Sequence, residues 1–322
     1  MTDEIQTISE AALAHRADAL AARAVELAKA SISPNTRRAY ESGAKHFTAF
    51  CASLDVPSLP ADPATVARYV AQLVEDGRAS STIDQRLAAI RWAHRVAGHE
   101  SPTAHAIVER VIAGARRERP RAPKAKRALL AADVRRLGRR EAVTMRDHRD
   151  RAVLLLGFAG GFRRSELAAL DVDDLRFDEG AGLVVMLRSS KTDQAGEGRR
   201  VAIPTGRRGS CPVEAVRTWM NAASIEDGPL FRRLRRGGRV GAERMAPRTV
   251  ATIVKRAAAD TGADPEAFGG HSLRRGLVTS AVRAGRSDAE IMTTTGHRSR
   301  EMLDRYREDA GRYDEAASAG LL

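Results

Sequence analysis

The amino-acid sequence predicts a mainly α-helical protein of two domains, in which the second domain is α+β with a small antiparallel sheet. Helices are indicated because apolar residues recur at three- and four-residue spacing along most of the chain, between residues that start and stop helices. The sheet is indicated by one stretch, "GLVVMLRSSKTDQAGEGRRVAIP", whose two apolar, β-branched arms flank a glycine-rich polar turn. A length of 322 residues is enough for two domains, each with its own core.

The chain is strongly basic, with 54 lysines and arginines against 41 acidic residues and a formal net charge of +13. Such an excess favours a polyanionic partner, above all nucleic acid, because each neutralised phosphate releases counterions. No apolar run approaches the roughly 20 residues of a membrane-spanning helix, and the first residues show no secretory signal. Cys51 and Cys211 have no partners at metal-ligand spacing. We therefore expect a reduced, cytoplasmic protein without a membrane or metal partner.

The first part of the chain predicts an arm followed by a small helical domain. Residues 1–32 are alanine-rich and are either helical, with leucine at every seventh position, or partly disordered. Residues 33–115 contain three helical patterns, "SPNTRRAYESGAKHFTAFC", "DPATVARYVAQLVEDG" and "SSTIDQRLAAIRWAHRVAG". The polar face of the third pattern suits a DNA groove, although a solvated face would look the same. Its polar residues are Gln85, Arg86 and Arg91.

Residues 116–127, "RRERPRAPKAKR", predict a linker between the two domains. The segment holds seven basic residues, one acid and two prolines. Proline stiffens such a segment and like charges extend it, so it is able to lie along phosphates. Residues 128–322 then form the second domain, which ends in a tail and is helical apart from the predicted hairpin.

Three motifs of the second domain carry positively charged side chains. In "GFRRSEL", Arg163 and Glu166 are three apart and would share one face of a helix. Lys191 lies at the tip of the predicted hairpin, and in "HSLRR" His271 and Arg274 are one helical turn apart. Each motif alone is weak evidence, since a surface ion pair or a solvated lysine would have the same spacing.

A fourth motif, "GHRSREMLDRYRED", places a tyrosine in a chain with only four of them. Gly296 ends one helix, His297 follows directly, and Tyr306 comes about two and a half turns later on a short helix. A tyrosine at such a position is more often a packing residue than a nucleophile. The motif therefore gains meaning only together with the other three.

Taken together, the four motifs describe a site for a phosphodiester. An arginine side chain binds non-bridging phosphate oxygens through two parallel hydrogen bonds and stabilises the additional charge of a pentacoordinate transition state. Tyrosine is a covalent nucleophile that would conserve the bond energy as a phosphotyrosine. Because a free phenol has a pKa of about 10, it needs a positive environment or a nearby base at neutral pH.

The order of these motifs resembles that of the tyrosine recombinase (phage integrase) family. The resemblance covers residues 33 to about 313 and comprises Arg-x-x-Glu, a hairpin lysine, His-x-x-Arg, Gly-His and a tyrosine nine residues on. It implies that Arg163 and Arg274 clamp the scissile phosphate. It also implies that Glu166 orients the catalytic residues without contacting the phosphate itself. It also implies a clamp of two domains, C-shaped around DNA.

The same resemblance implies the remaining roles in catalysis. Tyr306 would attack the phosphate and leave a 3′-phosphotyrosine, and Lys191 would protonate the leaving 5′ oxygen. His271 would bind the phosphate and help to accept the tyrosine proton, while His297 would contact a phosphate oxygen. On the return strand of the hairpin, Arg199 and Arg200 are expected to contact the DNA backbone.

The predicted function is therefore site-specific recombination of double-stranded DNA, without a metal or nucleotide cofactor. By resemblance, four copies of the chain would join two DNA sites and exchange strands through a Holliday junction, at the nucleoid. One alternative is a type IB topoisomerase, which uses similar chemistry on a single duplex. Another is a DNA-binding protein of the same fold that does not cleave, and a nicked suicide substrate would distinguish it because only an enzyme becomes covalently attached.

Overall fold

The computed structural model divides the chain into two compact units, residues 1–124 and 125–322. It describes residues 31–118, 126–188, 198–297 and 299–304, together with Tyr306 and four isolated positions, which are Leu20, Ala22, Arg23 and Glu26. Among these residues, no helix has both the length and the apolar character needed to span a bilayer. The predicted arm lies largely outside the described residues, as does most of the predicted linker.

The first unit is built from four helices: α1 (Pro34–Ser53), α2 (Pro63–Glu75), α3 (Ser80–Val96) and α4 (Ala106–Glu118). Their starts follow from local chemistry. Ser33 and Asp62 each accept a hydrogen bond from a backbone N–H of the first turn of α1 and α2, and a proline follows each of them. The unit's core includes the predicted stripe of α3, which is Ile83, Leu87 and Ile90.

The boundary between the units differs in detail from the predicted linker. Helix α4 continues to Glu118, so residues 116–118 are helical. At the other end, Lys126 and Arg127 belong to the second unit, where Arg127 N–H donates to the carbonyl of Ala267 at 2.7 Å. Residues 119–125 lie outside the described residues, and an extended linker there stays a prediction.

The second unit has seven longer helices among its described residues, arranged around one large apolar core, and residues 301–304 are helical as well. They are α5 (Ala131–Gly138), α6 (Met145–Ala159), α7 (Arg164–Ala169), α8 (Pro212–Ala222), α9 (Pro247–Ala259), α10 (Ser272–Arg283) and α11 (Asp288–Thr295). Helix α6 is the most deeply buried, with residues 152–157 all inside the core. The mainly helical fold class predicted from the sequence is confirmed.

A three-stranded antiparallel sheet, in the order β1 (Leu175–Asp178), β2 (Gly182–Leu187) and β3 (Arg199–Pro204), covers part of this core. The predicted hairpin is the β2–β3 pair, in which Leu187 lies opposite Arg199. Strand β1 and a second antiparallel pair, β4 (Arg232–Leu234) and β5 (Val240–Arg244), were not predicted. Both additions are short and rich in charge, so they lack the apolar alternation by which a strand is recognised.

The expectation that Arg163 lies within a helix, on one face with Glu166, is wrong for Arg163. Helix α6 ends at Ala159, and Gly161 adopts a left-handed backbone with φ of 56°. Phe162 then turns into the core, 1% exposed, before α7 begins. This break brings the chain back on itself, and it places Arg163 ahead of a helix rather than within one.

Candidate active site

Arg163 and Glu166 form a buried pair at the start of α7. Arg163 occupies the position before the first helical residue, and its backbone N–H donates to Glu166 Oε2 at 2.8 Å. Its guanidinium Nη1 lies 2.5 Å from Glu166 Oε1. The side chain of Glu166 is only 3% exposed, so this is not the surface ion pair that spacing alone would suggest. A buried carboxylate held in this way fixes the arginine in one orientation.

Arg274 is buried on α10 and ties three segments of the site together. Its Nη1 donates to the carbonyls of Gly161, at 2.8 Å, and of Thr295, at 2.6 Å. Its Nη2 is buried and has no hydrogen-bond partner among the described residues. Burial, aided by the charge of Arg163, lowers the pKa of Arg274 to about 10, which leaves it charged at neutral pH. A charged, partly unpaired guanidinium is suited to binding an anion.

His271 lies directly before α10, one turn from Arg274 as predicted. The residue as a whole is exposed. Partial desolvation, followed by the charges of Arg274 and Arg163, lowers the pKa of His271. The imidazole is therefore neutral at pH 7 and able to accept a proton.

His297 is buried just after α11, and its contacts identify the nitrogen that carries the proton. Thr295 Oγ1 lies 2.6 Å from the carbonyl oxygen of Ile291, so its hydroxyl hydrogen is donated there. The same Oγ1 lies 2.8 Å from His297 Nδ1 and accepts from it, so the proton is on Nδ1 and Nε2 is bare. Burial, then the charge of Arg274, lowers the pKa of His297 to about 4.

Tyr306 lies beside His297. The centroids of the two rings are 6.2 Å apart. The tyrosine packs against a small cluster formed by Val278, Ile291 and Leu303, and the guanidinium carbon of Arg275 lies 5.6 Å from the centroid of its ring. Tyr306 thus packs against apolar side chains and also lies near His297, and its role as a nucleophile stays a prediction.

The two arginines at the start of β3 differ in environment. Arg200 is exposed, as a residue that contacts DNA would be. Arg199 instead points inward, where its Nη1 donates to the carbonyls of Thr293 and Thr294. The predicted contact of Arg199 with the DNA backbone stays a prediction, and the structure gives this residue contacts within the protein. Lys191, the predicted tip lysine, lies outside the described residues.

The polar face predicted on α3 is partly engaged within its own unit. Gln85 is exposed. Arg86 Nη1 donates to the carbonyl of Ser42 at 2.9 Å, and Arg91 Nε donates to Thr103 Oγ1 at 3.2 Å. These bonds leave further N–H groups on both arginines, so contacts of this face with DNA stay a prediction.

The second unit thus brings together the predicted residues of three motifs that are far apart in sequence. Arg163, Arg199 and Arg274 share this region with the carboxylate of Glu166, and each of the three arginines lowers the pKa of His297. An excess of positive charge in a partly buried site favours a bound phosphate. Among the described residues, no group of three or more His, Cys, Asp or Glu side chains is placed to hold a metal ion.

Sequence reasoning missed two contributors to the site. Thr295 fixes the proton of His297, and Arg199 supports the end of α11. The only signal for Thr295 was its position two residues before the histidine. Nothing in the spacing of Arg199 distinguished it from Arg200, since only the alternation of a strand separates the two.

Comparison with known proteins identifies related families and sequences. The model of the phage integrase family matches residues 127–312, and that of the phage integrase N-terminal SAM-like domain matches residues 26–101. An integrase/recombinase XerD homolog from Selenomonas ruminantium is 34% identical over 302 residues, covering 92% of this chain and 87% of the relative. The recombinase Cre of Escherichia phage P1 is 26% identical over 285 residues, covering 83% of this chain and 81% of the relative.

Solved structures with the same fold include recombinases bound to DNA. A lambda integrase dimer bound to a COC′ core site aligns with a TM-score of 0.58 and 19% sequence identity, covering 91% of this chain and 95% of that one. The XerH site-specific recombinase bound to its palindromic difH substrate aligns with a TM-score of 0.57 and 15% identity, covering 80% and 72%. At these identities the likeness shows a shared fold.

Proposed function

Because the chain belongs to the phage integrase family and is a tyrosine recombinase that cleaves and rejoins DNA, we propose that Tyr306 is its nucleophile. The phenolate oxygen attacks the scissile phosphorus, and the bond between phosphorus and the 5′ oxygen breaks. The products are a 3′-phosphotyrosine and a free 5′-hydroxyl, which attacks a phosphotyrosine to rejoin the strands. No bond energy is lost, so the joining step needs no nucleotide.

Arg163 and Arg274 bind the non-bridging oxygens of the scissile phosphate in this mechanism. Glu166 holds Arg163 through two hydrogen bonds, and backbone carbonyls hold Nη1 of Arg274. Rigid donors of this kind are already oriented toward the charge that develops in the transition state, and this preorganisation lowers the barrier. Nη2 of Arg274, which is buried without a partner among the described residues, is the group that would meet the phosphate.

The two histidines have different roles, one at the phosphate and one at the proton of Tyr306. His271 binds the phosphate from the exposed edge of the site and is neutral at pH 7. His297 also has a neutral ring, and its bare Nε2 accepts rather than donates. A contact of that nitrogen with a phosphate oxygen, as first expected, would require a proton that the free protein does not place there. A bound phosphate offsets the arginine charges that lower the pKa of His297, and in that state we assign its Nε2 to accept the phenol proton, directly or through water.

Lys191 remains the proposed general acid that protonates the leaving 5′ oxygen. The proposal rests on its place between the arms of the β2–β3 hairpin, which the structure describes up to Arg188 and again from Gly198. Strand β3 enters the site through Arg199, so a hairpin starting there has one end beside the phosphate site.

The substrate that this site supports is a double-stranded DNA recombination site. The net charge of +13 and the DNA-bound structural neighbours support this choice. We further propose that four copies of the chain join two such sites and exchange strands through a Holliday junction, on DNA in the cytoplasm. The relatives named as recombinases support this assembly only through their family membership.

The observation that carries the proposal is the meeting of Arg163, Arg274 and His297 beside a partly buried tyrosine. The test needs DNA that carries the recombination site, which is found by sequencing the DNA around the gene. This DNA is prepared with a nick beside the bond that the enzyme cleaves. The nick lets the 5′ fragment diffuse away and so traps the covalent complex. Tyr306→Phe should bind this DNA with unchanged affinity and form no covalent adduct.

Tyr313→Phe is the matched control, because it removes a phenolic hydroxyl from the tyrosine seven residues later in the chain. It should still form the adduct. An adduct on Tyr313, or a covalent complex with Tyr306→Phe, would contradict the assignment of the nucleophile. Loss of DNA binding in Tyr306→Phe would instead show that the residue is structural.

A further inference from the structure

We propose that Arg199 is a positioning residue of this active site, holding the C-terminal end of α11 so that His297 stays beside Tyr306. The inference rests on the proposed function only in treating His297 and Tyr306 as reacting groups. It concerns a residue for which the sequence predicted a contact with the DNA backbone.

The contacts of Arg199 link two separate parts of the second unit. Arg199 is the first residue of β3, and its Nη1 donates to the carbonyl of Thr293 at 3.2 Å and to that of Thr294. These carbonyls belong to the last turn of α11, where no intrahelical N–H is left to bond them. A positive charge at this end also complements the helix dipole. Arg199 is therefore a cap for α11 that comes from a distant strand.

Two further hydrogen bonds at the same end of α11 position His297. Nη1 of Arg274 donates to the carbonyl of Thr295 at 2.6 Å, and Thr295 Oγ1 accepts from His297 Nδ1 at 2.8 Å. Three consecutive carbonyls, those of residues 293–295, are thus held by two arginines immediately before the histidine. If the contacts of Arg199 are removed, the last turn of α11 loses one of its two supports.

Gly296 makes room for this arrangement. It adopts a left-handed backbone, with φ of 68°. A Cβ atom at this position would lie 3.0 Å from Nε and 3.1 Å from Cζ of Arg199. The glycine therefore serves both the sharp turn into His297 and the close approach of the guanidinium.

The charge of Arg199 is unfavourable in the free protein, which argues against a purely structural role. Burial lowers the pKa of Arg199, the charge of Arg163 lowers it further, and Nη2 is buried without a partner among the described residues. An apolar side chain would fill such a space at lower cost. The cost is offset when an anion enters the site, because a phosphate neutralises the grouped guanidinium charges.

Arg200 provides a matched control for every measurement. It is the next residue of the same strand, carries the same charge and is exposed. Successive side chains of a strand point to opposite faces, so Arg200 does not share the contacts of Arg199. Replacing either arginine by methionine removes one positive charge and keeps a side chain of similar length.

The first measurement uses the full-length protein without DNA, so it does not depend on recombination. Nitrogen NMR of labelled histidines reports which ring nitrogen carries the proton, and the signal of His297 is identified by its absence in His297→Gln. In the wild type and in Arg200→Met, we expect a single form with the proton on Nδ1. In Arg199→Met, we expect the two tautomers to mix, because the Thr295 contact is no longer held.

The second measurement is the rate of covalent adduct formation with the nicked DNA at saturating concentration. Arg199→Met should lower this rate by about 10- to 100-fold, as a displaced catalytic group does, with DNA affinity changed less than about 2-fold. Arg200→Met should lower DNA affinity, and its saturated rate should fall clearly less than that of Arg199→Met. Arg199→Lys keeps the charge and one donor, so its rate should fall between that of Arg199→Met and the wild type.

Two results would overturn the proposal. One is an unchanged His297 signal in Arg199→Met together with a saturated rate within about 2-fold of the wild type. The other is an equal loss of rate in Arg199→Met and Arg200→Met, which would indicate general charge. If Arg199→Met does not fold, Arg199→Lys decides by the same two measurements. Absence of an adduct in the wild type would contradict the proposed function. The NMR result would still test whether Arg199 positions His297.

Discussion

At the scale of single residues, the surroundings of a side chain decide its chemistry here. His297 would be an ordinary titrating group near neutral pH if it were exposed. Burial, the nearby arginines and the hydroxyl of Thr295 make it a neutral ring with one bare nitrogen. Arg163 and Arg199 are likewise defined by a carboxylate and by backbone carbonyls that lie close only in the folded chain.

The lowered pKa of His297 predicts how stability depends on pH. The ring titrates at about 4 in the folded protein and near 6.5 when unfolded. Between these values the unfolded chain binds a proton that the folded protein does not, so stability falls as the pH is lowered from 6.5 to 4. Lowering the pH from 7 to 4.5 should cost about 2–3 kcal/mol through this residue.

Urea unfolding of the wild type and of His297→Gln at both pH values measures this contribution. Glutamine does not titrate, so the variant should lose less stability on acidification than the wild type by that amount. Equal losses in the two proteins would show that the ring is not held neutral by the fold.

At the scale of elements, close approaches between helices and turns position the site and helix α3. Gly161 turns the chain between α6 and α7, and its carbonyl accepts from Arg274. In the first unit, Gly43 lets α1 approach α3, since a Cβ there would lie 2.4 Å from that of Ala89. Helix α3 carries the polar face proposed to meet DNA, so this packing sets where that face lies within its unit.

Two glycines of the first unit predict opposite effects of the same substitution. Gly43→Ala should destabilise the unit by roughly 1–3 kcal/mol, because the added methyl overlaps α3. Gly114→Ala should stabilise it by about 0.5–1 kcal/mol, since Gly114 lies in α4 with nothing within 4 Å of its missing Cβ.

Hydrogen exchange of the amides in residues 34–118 of the full-length chain measures both changes. Faster exchange in Gly43→Ala and slower exchange in Gly114→Ala are expected. Unchanged exchange in Gly43→Ala would mean that α1 and α3 move apart without a loss of stability.

At the scale of the whole molecule, charge and assembly are the properties that matter. Most of the net charge of +13 lies in the second unit, which has 37 lysines and arginines against 27 acidic residues, and it supports binding to the DNA backbone. The clamp of two domains around a duplex and the tetramer on two sites stay predictions that depend on how the units and copies meet on DNA.

The tail predicts a test of that assembly. The segment "GRYDEAASAGLL", residues 311–322, lies outside the described residues, and its helix propensity is too weak for it to be stable alone. We expect it to dock on a neighbouring copy of the chain. Deleting it should leave binding to one DNA site nearly unchanged and abolish the complex of two sites, as seen on native gels. A shortened protein that still pairs two sites and recombines them would show that the tail folds on its own domain.

The sequence by itself determined the mainly helical class, the β2–β3 hairpin and the family, because each rests on local periodicity or on the order of short motifs. Only the tertiary structure decided that α6 breaks before Arg163, that Arg199 turns inward and that His297 carries its proton on Nδ1. The first two involve a polar group that meets a partner distant in the chain, as when Arg274 reaches the carbonyl of Gly161 or Arg199 that of Thr293. The third depends on the hydrogen bonds that Thr295 makes at the end of α11. Spacing along a strand or helix states which side chains share a face. It does not state what that face meets, since burial and hydrogen-bond partners arise only when separate elements pack together.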